Sequence, residues 1–145
     1  MGTAKGKIVR FSSLLRFFRG LRAHTIGFHN GIVQSVDEVL EIEQLRDVTM
    51  NDPQLMREIL GALVDDTSRQ VELLGAAIRQ CDSKLCMRLA HYSKGACVNV
   101  GANRAAGMFK MIERSAAEGA FSECAQSLAG LAQQLEELRS AAQSL

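Results

Sequence analysis

The chain is 145 residues long, 47% hydrophobic and 23% charged, with a formal net charge of +1, which is typical of one soluble globular domain that buries its own core. Its apolar runs are shorter than the roughly 18 to 20 residues that span a bilayer, and arginines interrupt the apolar stretch near the N-terminus, so neither a membrane span nor a secretory signal is predicted. A single Pro, no Trp and only 5% aromatic residues favour an all-α fold over a β-sheet.

Charge divides the sequence near residue 36. Residues 1–36 contain six Lys or Arg and no Asp or Glu, whereas residues 37–145 contain eleven basic and sixteen acidic residues. We therefore predict a basic amphipathic N-terminal extension over 1–36 and a folded domain over 37–145. Within the extension, an apolar stripe at helical spacing alternates with four arginines, which predicts an extra basic helical segment over residues 8–22.

This basic segment is compatible with three roles. The favoured one is an added helix that packs on the bundle, or a partly ordered leader; the second is contact with an anionic membrane or a partner protein; the third and least favoured is nucleic-acid binding. Gly6 stands where a myristoylation motif has Ser or Thr, so Gly2 is not a predicted lipidation site. His24 and His29 have no companion ligands and are interpreted as ordinary polar residues.

The domain begins with a short leading helix from about residue 42 and a long helix after it. The triplet Asn51-Asp52-Pro53 offers capping side chains followed by Pro in the first turn, which predicts a helix start. One apolar stripe then continues for about six turns at three- and four-residue steps. Its members are Met56, Leu60, Leu63, Thr67, Val71, Leu74 and Ile78.

Three more helices follow with short connections between them. Asp82 or Ser83 is predicted to cap the first, and Gly101 to end it. Its predicted inner face consists of Leu85, Leu89, Tyr92, Ala96 and Val100. The next helix is predicted from about residue 103 to near Gly119, and the last carries a regular apolar alternation over 121–138. Short connections make consecutive helices antiparallel, so the predicted fold is an antiparallel up-down four-helix bundle with a short leading helix.

The four cysteines form no Cys-x-x-Cys pair. They are Cys81, Cys86, Cys97 and Cys124. Their spacing on predicted helices indicates reduced, partly buried small hydrophobic residues of a cytoplasmic protein, with neither a disulfide nor a zinc site.

His91 is predicted to face away from the core. At 100° per residue the inner face of its helix centres near Leu89 and Ala96, and His91 points almost the opposite way. A lone His on such a face is most often a plain surface residue, so its neighbours decide the interpretation. The same outer face carries Lys84, Met87, Arg88, Lys94, Gly95 and Val98.

Two chemical interpretations of His91 fail on these neighbours. A metal site needs further ligands three or four residues away, where this face has Lys94 and Arg88, which repel a cation. A nucleophile that uses His91 as its base must lie within hydrogen-bond reach, but Ser93 and Cys97 both point away from it on the helix. His91 is therefore predicted to be neither a metal ligand nor a catalytic base.

The outer face instead offers an exposed imidazole surrounded by positive charge. A neutral imidazole is nucleophilic, and three basic neighbours can offset the charge of a phosphoryl group. Gly95 removes a side chain where a partner must come close, although Gly costs a helix up to ~1 kcal/mol relative to Ala. Met87 and Val98 are either exposed apolar contacts for a partner or residues packed on a neighbouring helix, and the sequence leaves both open.

This pattern resembles the histidine-containing phosphotransfer (HPt) domain of two-component phosphorelays. That family has an Ala-His pair, a Lys-Gly three and four residues after the His, and a Gly-Ala ten and eleven after it. The matching residues here are Ala90, His91, Lys94, Gly95, Gly101 and Ala102, with Arg88 at a common basic position. The likeness covers about residues 38–143. Ser93 and Ala96 depart from the residues usual in the family, and both are predicted to face inward.

The resemblance implies that His91 accepts a phosphoryl group at Nε2 from the aspartyl phosphate of a response-regulator receiver domain and passes it to another receiver. Lys94 would stabilise charge and Gly95 would admit the partner. The implied docking residues are Lys84, Met87, Arg88 and Val98. The receiver would supply Mg²⁺, and a hybrid sensor histidine kinase would feed the relay. The chain would then be a stand-alone, monomeric, cytoplasmic carrier and not an enzyme.

Two rival functions belong to other classes. A non-phosphorylated scaffold or inhibitor could bind a receiver or kinase through the same fold, but it has no need of His91, Lys94 and Gly95 together. A membrane-associated adaptor driven by the N-terminal helix would bind vesicles and lose that binding when residues 1–30 are deleted.

Overall fold

The computed structural model describes residues 39–145, and the predictions for the extension over 1–36 lie outside the described residues. Five helices occur in the described part: α1 Ile42–Val48, α2 Pro53–Arg79, α3 Ser83–Val100, α4 Asn103–Ala117 and α5 Phe121–Gln143. Helices α2 to α5 form the predicted antiparallel four-helix bundle, in which α3 lies between α2 and α4, and α5 between α4 and α2. Across residues 39–145, no helix is both long and apolar enough to cross a membrane.

The starts of α2 and α3 follow the capping signals in the sequence. The Asp52 carboxylate accepts hydrogen bonds from the backbone N–H groups of Gln54 at 3.0 Å and Leu55 at 3.2 Å. At the start of α3 it is Asp82 that caps, accepting from the backbone N–H of Leu85 at 3.1 Å. These bonds satisfy donors that a helix leaves without intrahelical partners.

The apolar stripes of the four long helices meet in one core. The predicted stripe of α2 is buried throughout except for Val71, which is half-buried. The largest fully buried apolar side chains of the core are Leu45, Leu60, Leu63, Leu74, Phe109, Ile112, Leu131 and Leu138. Since Leu45 belongs to α1, the short leading helix contributes to this core and is fixed against the bundle.

The buried face of α3 differs from the predicted one. The prediction placed Tyr92 on the inner face, but this side chain is 39% exposed. The residues buried on α3 are Cys86, Ala90, Ser93, Ala96, Cys97 and Val100. Most of these are small, so α4 packs closely along them, and the larger Leu85, Leu89 and Tyr92 are displaced toward the edge of the core. Ser93 and Ala96 do face inward, as predicted.

The cysteines are all free, and three of them are buried as predicted. Cys81 is the correction: it is exposed, in the turn between α2 and α3, with a backbone φ of 54°. Burial raises the pKa of Cys97 to about 12. This thiol therefore stays protonated near neutral pH and behaves as a small hydrophobic residue.

Gly101 ends α3, and its lack of a side chain lets the start of α1 pack against this end of the helix. It adopts a left-handed φ of 89°, as the predicted stop signal requires. Its carbonyl oxygen accepts a hydrogen bond of 2.8 Å from the backbone N–H of Glu41, and the Gln44 side-chain amide donates to the Val98 carbonyl at 2.6 Å. A Cβ atom at Gly101 would lie 2.8 Å from the Glu41 carbonyl oxygen. Only glycine fits both the backbone conformation and this close approach.

We expect Gly101→Ala to destabilise the fold more than Gly119→Ala. Gly119 is the matched control because its φ of 71° is also left-handed, yet nothing lies within 4 Å of an added Cβ. Gly119→Ala should lower the free energy of unfolding by roughly 1–2 kcal/mol because of the left-handed conformation alone. Gly101→Ala should lower it by about 1–3 kcal/mol more because the added methyl group is overpacked against Glu41. Urea unfolding followed by circular dichroism measures both. Equal losses would show that α1 does not constrain this turn.

Candidate functional site

His91 lies on the outer face of α3, as predicted. Its side chain is 70% exposed, so the imidazole is open to a molecule approaching from solvent. The difference between the predicted and observed buried faces of α3 does not alter this, because His91 remains nearly opposite Cys86, Ser93 and Val100 on the helix.

His91 has a partner on α4 that the sequence analysis did not identify. The Nδ1 atom of His91 lies 3.0 Å from Oε1 of Glu113. The other carboxylate oxygen of Glu113, Oε2, accepts a hydrogen bond of 2.7 Å from Nζ of Lys94. Glu113 therefore bridges His91 and Lys94 and holds both side chains of the predicted motif.

The charge state of Glu113 determines which nitrogen of His91 carries the proton. Burial by itself would raise the pKa of Glu113, but hydrogen bonds from Lys94 and His91, together with their charges, outweigh it and hold the pKa below its usual value. Near neutral pH this carboxylate is ionised and can only accept hydrogen bonds. The contact therefore requires a proton on Nδ1 of His91, and in the neutral ring Nε2 then keeps its lone pair.

Glu113 was missed because analysis of one helix at a time cannot place residues across a hairpin. His91 lies ten residues before Gly101, and Glu113 lies eleven residues after Ala102. In an antiparallel helix pair, residues at equal distances from the turn are neighbours. Folding the predicted hairpin about Gly101-Ala102 would therefore have brought Glu113 beside His91, and this was the available signal.

The remaining residues of the predicted site differ in exposure. Lys84, Arg88 and Gly95 are exposed, and an added Cβ at Gly95 would meet nothing within 4 Å. Lys94 is half-buried at the edge of the face, where it reaches Glu113. Their roles in binding and phosphotransfer remain predictions.

The structure separates the two apolar residues whose position the sequence left open. Val98 is 47% exposed and belongs to the outer face. Met87 is partly buried and packs against the core, with its sulfur 3.9 Å from the Ser83 hydroxyl oxygen. Of the two alternatives that the sequence left open, the structure therefore has Val98 exposed and Met87 packed, and a docking role for Met87 remains a prediction.

The side chains around His91 permit phosphoryl acceptance by a nucleophilic ring nitrogen. The imidazole is exposed, the Glu113 carboxylate engages its Nδ1 atom, and the Lys94 ammonium group lies next to that carboxylate. Within residues 39–145 no three His, Cys, Asp or Glu side chains are grouped so as to hold a metal ion.

Comparisons with known proteins support the same interpretation. A family model described as "Hpt domain" matches residues 58–141, which include His91, Lys94, Gly95 and Glu113. Among solved structures, the chain is similar to histidine-containing phosphotransfer protein B (HptB) from Pseudomonas aeruginosa PAO1, with 22% sequence identity and a TM-score of 0.68 over 74% of this chain and 94% of that chain. At this identity the likeness shows a common fold. No curated protein matches the sequence.

Proposed function

The chain belongs to the Hpt domain family, whose members act in histidine phosphotransfer in two-component signalling, and from this premise we propose that His91 is its phosphoryl acceptor. The donor is the aspartyl phosphate of a receiver domain, and a second receiver domain takes the group from His91. The observation that carries the proposal is the exposed imidazole whose Nδ1 atom is engaged by Glu113.

The ring is prepared for attack through Nε2. With Nδ1–H donated to Glu113, the lone pair of the neutral ring is on Nε2, in a side chain that is mostly exposed. It attacks the phosphorus atom, the bond between phosphorus and the aspartyl oxygen breaks, and its electron pair returns to that oxygen. No proton moves, because Nδ1 keeps its proton throughout. The product ring carries a positive charge, which the Glu113 carboxylate stabilises at 3.0 Å.

Lys94 changes its partner during this reaction. In the free protein its ammonium group is bound to Glu113 at 2.7 Å. Because Lys94 is one helical turn from His91, the same ammonium group can turn toward the phosphoryl oxygens as their charge approaches. Each end state thus pairs Lys94 with an anion, and the transferred group is held mainly by positioning and electrostatic stabilisation. Mg²⁺ belongs to the receiver domain in this proposal.

Docking uses the outer face of α3. Val98 supplies an exposed apolar contact and Gly95 leaves open space beside His91. Lys84 and Arg88 add exposed positive charge, which favours association with the acidic pocket of a receiver domain.

We expect Gly95→Ala to stabilise the protein while slowing phosphotransfer. An added methyl group fits at Gly95 without contact and removes the cost of Gly in a helix, so unfolding should require about 0.5–1 kcal/mol more. The same methyl group occupies the space through which the partner approaches. Gly107→Ala is the matched control, since Gly107 is also helical, exposed and uncrowded. It should gain similar stability with an unchanged transfer rate. Unchanged transfer in both variants would remove Gly95 from the docking face.

The function is tested by incubating the full chain with a phosphorylated receiver domain carrying labelled phosphate. Label that appears on the protein and is lost in acid but kept in base is expected for phosphohistidine. A well-folded protein that binds receivers yet accepts no label from several of them would instead support a scaffold.

A further inference from the structure

A groove runs along the outer face of α2, opposite the face that this helix buries in the core. Its volume is about 370 Å³, and its walls include Arg57, Glu58, Gly61, Asp65, Asp66 and Arg69. This surface faces away from the stripe that begins with Met56 and Leu60. It is separate from the outer face of α3 that carries His91.

Asp66 is a buried carboxylate in the wall of the groove that is only partly satisfied. This residue is only 3% exposed, and its Oδ2 atom accepts no hydrogen bond within the described part of the chain. Its other oxygen lies 3.9 Å from Nη1 of Arg69, too far for a hydrogen bond. Burial raises the pKa of Asp66, the Arg69 charge lowers it and Asp65 raises it again, with burial dominant. A buried carboxylate is costly unless a donor or cation satisfies it.

The surroundings of Asp66 suit an arginine-bearing helix. Glu58 and Asp65 add negative charge, while the guanidinium group of Arg57 donates to the Leu145 carbonyl at 3.1 Å. An added Cβ at Gly61 would meet nothing within 4 Å, so the floor of the groove is open to close approach. One turn beyond Arg69, Leu73 is 54% exposed on the same face and offers an apolar contact.

We propose that residues 8–22 of this same chain dock in the α2 groove, with an arginine of the segment bound to Asp66. The segment combines Arg10, Arg16, Arg19 and Arg22 with an apolar stripe. The groove has three carboxylates (Glu58, Asp65 and Asp66) and two guanidinium groups (Arg57 and Arg69), a net charge of −1, and Leu73 is exposed on the same face. A 15-residue helix is about 22 Å long, and residues 57–73 extend about 24 Å along α2. Both charge and length therefore match.

The segment between Arg22 and Val39 is long enough to reach the groove. The described chain begins at Val39, and Glu41 is fixed to Gly101, at the end of the bundle where α2 also begins. Sixteen residues separate Arg22 from Val39 and reach up to about 50 Å when extended. The whole of α2 is only about 40 Å long, so every point of the groove is within reach.

The test is paramagnetic relaxation in the full chain. A nitroxide is attached to Ser13→Cys in a Cys81→Ser background, because the other cysteines are buried. We expect the amide signals of Gly61, Asp65 and Arg69 to lose most of their intensity, with weaker broadening on α5, which packs beside α2, and the least on α4. Broadening that is strongest on α4 or α5, or none, would overturn the proposal.

Variants on both sides of the contact make the result specific. Asp66→Asn and, separately, Arg16→Gln with Arg19→Gln should restore the intensities; the second leaves the bundle untouched if the first fails to fold. Glu136→Gln, an exposed acidic position on α5, is the control and should leave the broadening unchanged. Spin-labelled molecules are also mixed with separate isotope-labelled molecules. If broadening arises only in this mixture, the occupant of the groove is a second copy and the intramolecular proposal is wrong. Loss of the broadening only on addition of phosphatidylserine vesicles would support docking and identify a competing membrane contact.

Discussion

His91→Gln is expected to remain folded and to accept no phosphoryl group. The side chain is 70% exposed on the outer face of α3, so its replacement leaves the core intact and should change stability by less than about 0.5 kcal/mol. A glutamine amide is similar in size and can still donate to Glu113, but it has no nucleophilic ring nitrogen. Labelled transfer from a phosphorylated receiver should fall below detection, with an unchanged circular dichroism spectrum.

The chain provides its own control for this experiment. It contains only two other histidines, His24 and His29, both in the N-terminal extension. A His24→Gln, His29→Gln double variant should accept label as fast as the wild type. Label that survives in His91→Gln and disappears in the double variant would show that the acceptor lies outside the bundle.

The second large effect is expected for Glu113→Ala, which should slow acceptance by up to about tenfold. Loss of the charge-assisted hydrogen bond removes roughly 1.5 kcal/mol that favours the proton on Nδ1 and stabilises the charged product. The variant also frees Lys94 from its ion pair with Glu113, and the freed ammonium group should favour acceptance. That partly exposed ion pair is worth at most about 1 kcal/mol, so the loss at His91 dominates. Single-turnover transfer rates measure the difference.

A spectroscopic readout separates positioning from simple loss of structure. Nitrogen-15 shifts of the His91 ring should show the proton on Nδ1 in the wild type and a shift toward the other tautomer in Glu113→Ala. Glu113→Gln keeps an acceptor oxygen without the charge and should be intermediate in rate. Glu118→Ala is the control, because it removes an exposed acidic side chain from the turn that follows α4. An unchanged tautomer in Glu113→Ala would remove the positioning role.

The contribution of Glu113 to stability should depend on pH in a defined direction. The pKa of this group is lowered in the folded protein, so its interactions stabilise the fold above the ordinary pKa of a glutamate. They are lost as the pH falls through the lowered value. The difference in free energy of unfolding between the wild type and Glu113→Gln should therefore be present at pH 7 and shrink under acid conditions. A difference that grew toward acid pH would contradict the ionised bridge.

Local sequence signals determined most of the fold. The apolar stripes, the caps at Asp52 and Asp82 and the left-handed stop at Gly101 act within one helix or turn, so they could be identified from residue order alone. The outward direction of His91 was determined in the same way, because helical periodicity relates each residue to its own helix. The motif around His91 was sufficient to indicate the family.

Only the tertiary structure decided how neighbouring helices meet. The small residues Ala90, Ser93 and Cys97 form the buried face of α3, while Tyr92 is exposed and Met87 is partly buried. The packing of α4 against α3 set the register that brings Glu113 to His91 and Lys94. A helical wheel carries no information on such contacts, because they depend on the volumes and register of two helices at once. The proposed acceptor, His91, was therefore evident from one helix, whereas Glu113, the carboxylate that contacts it, could be found only from the pair of helices.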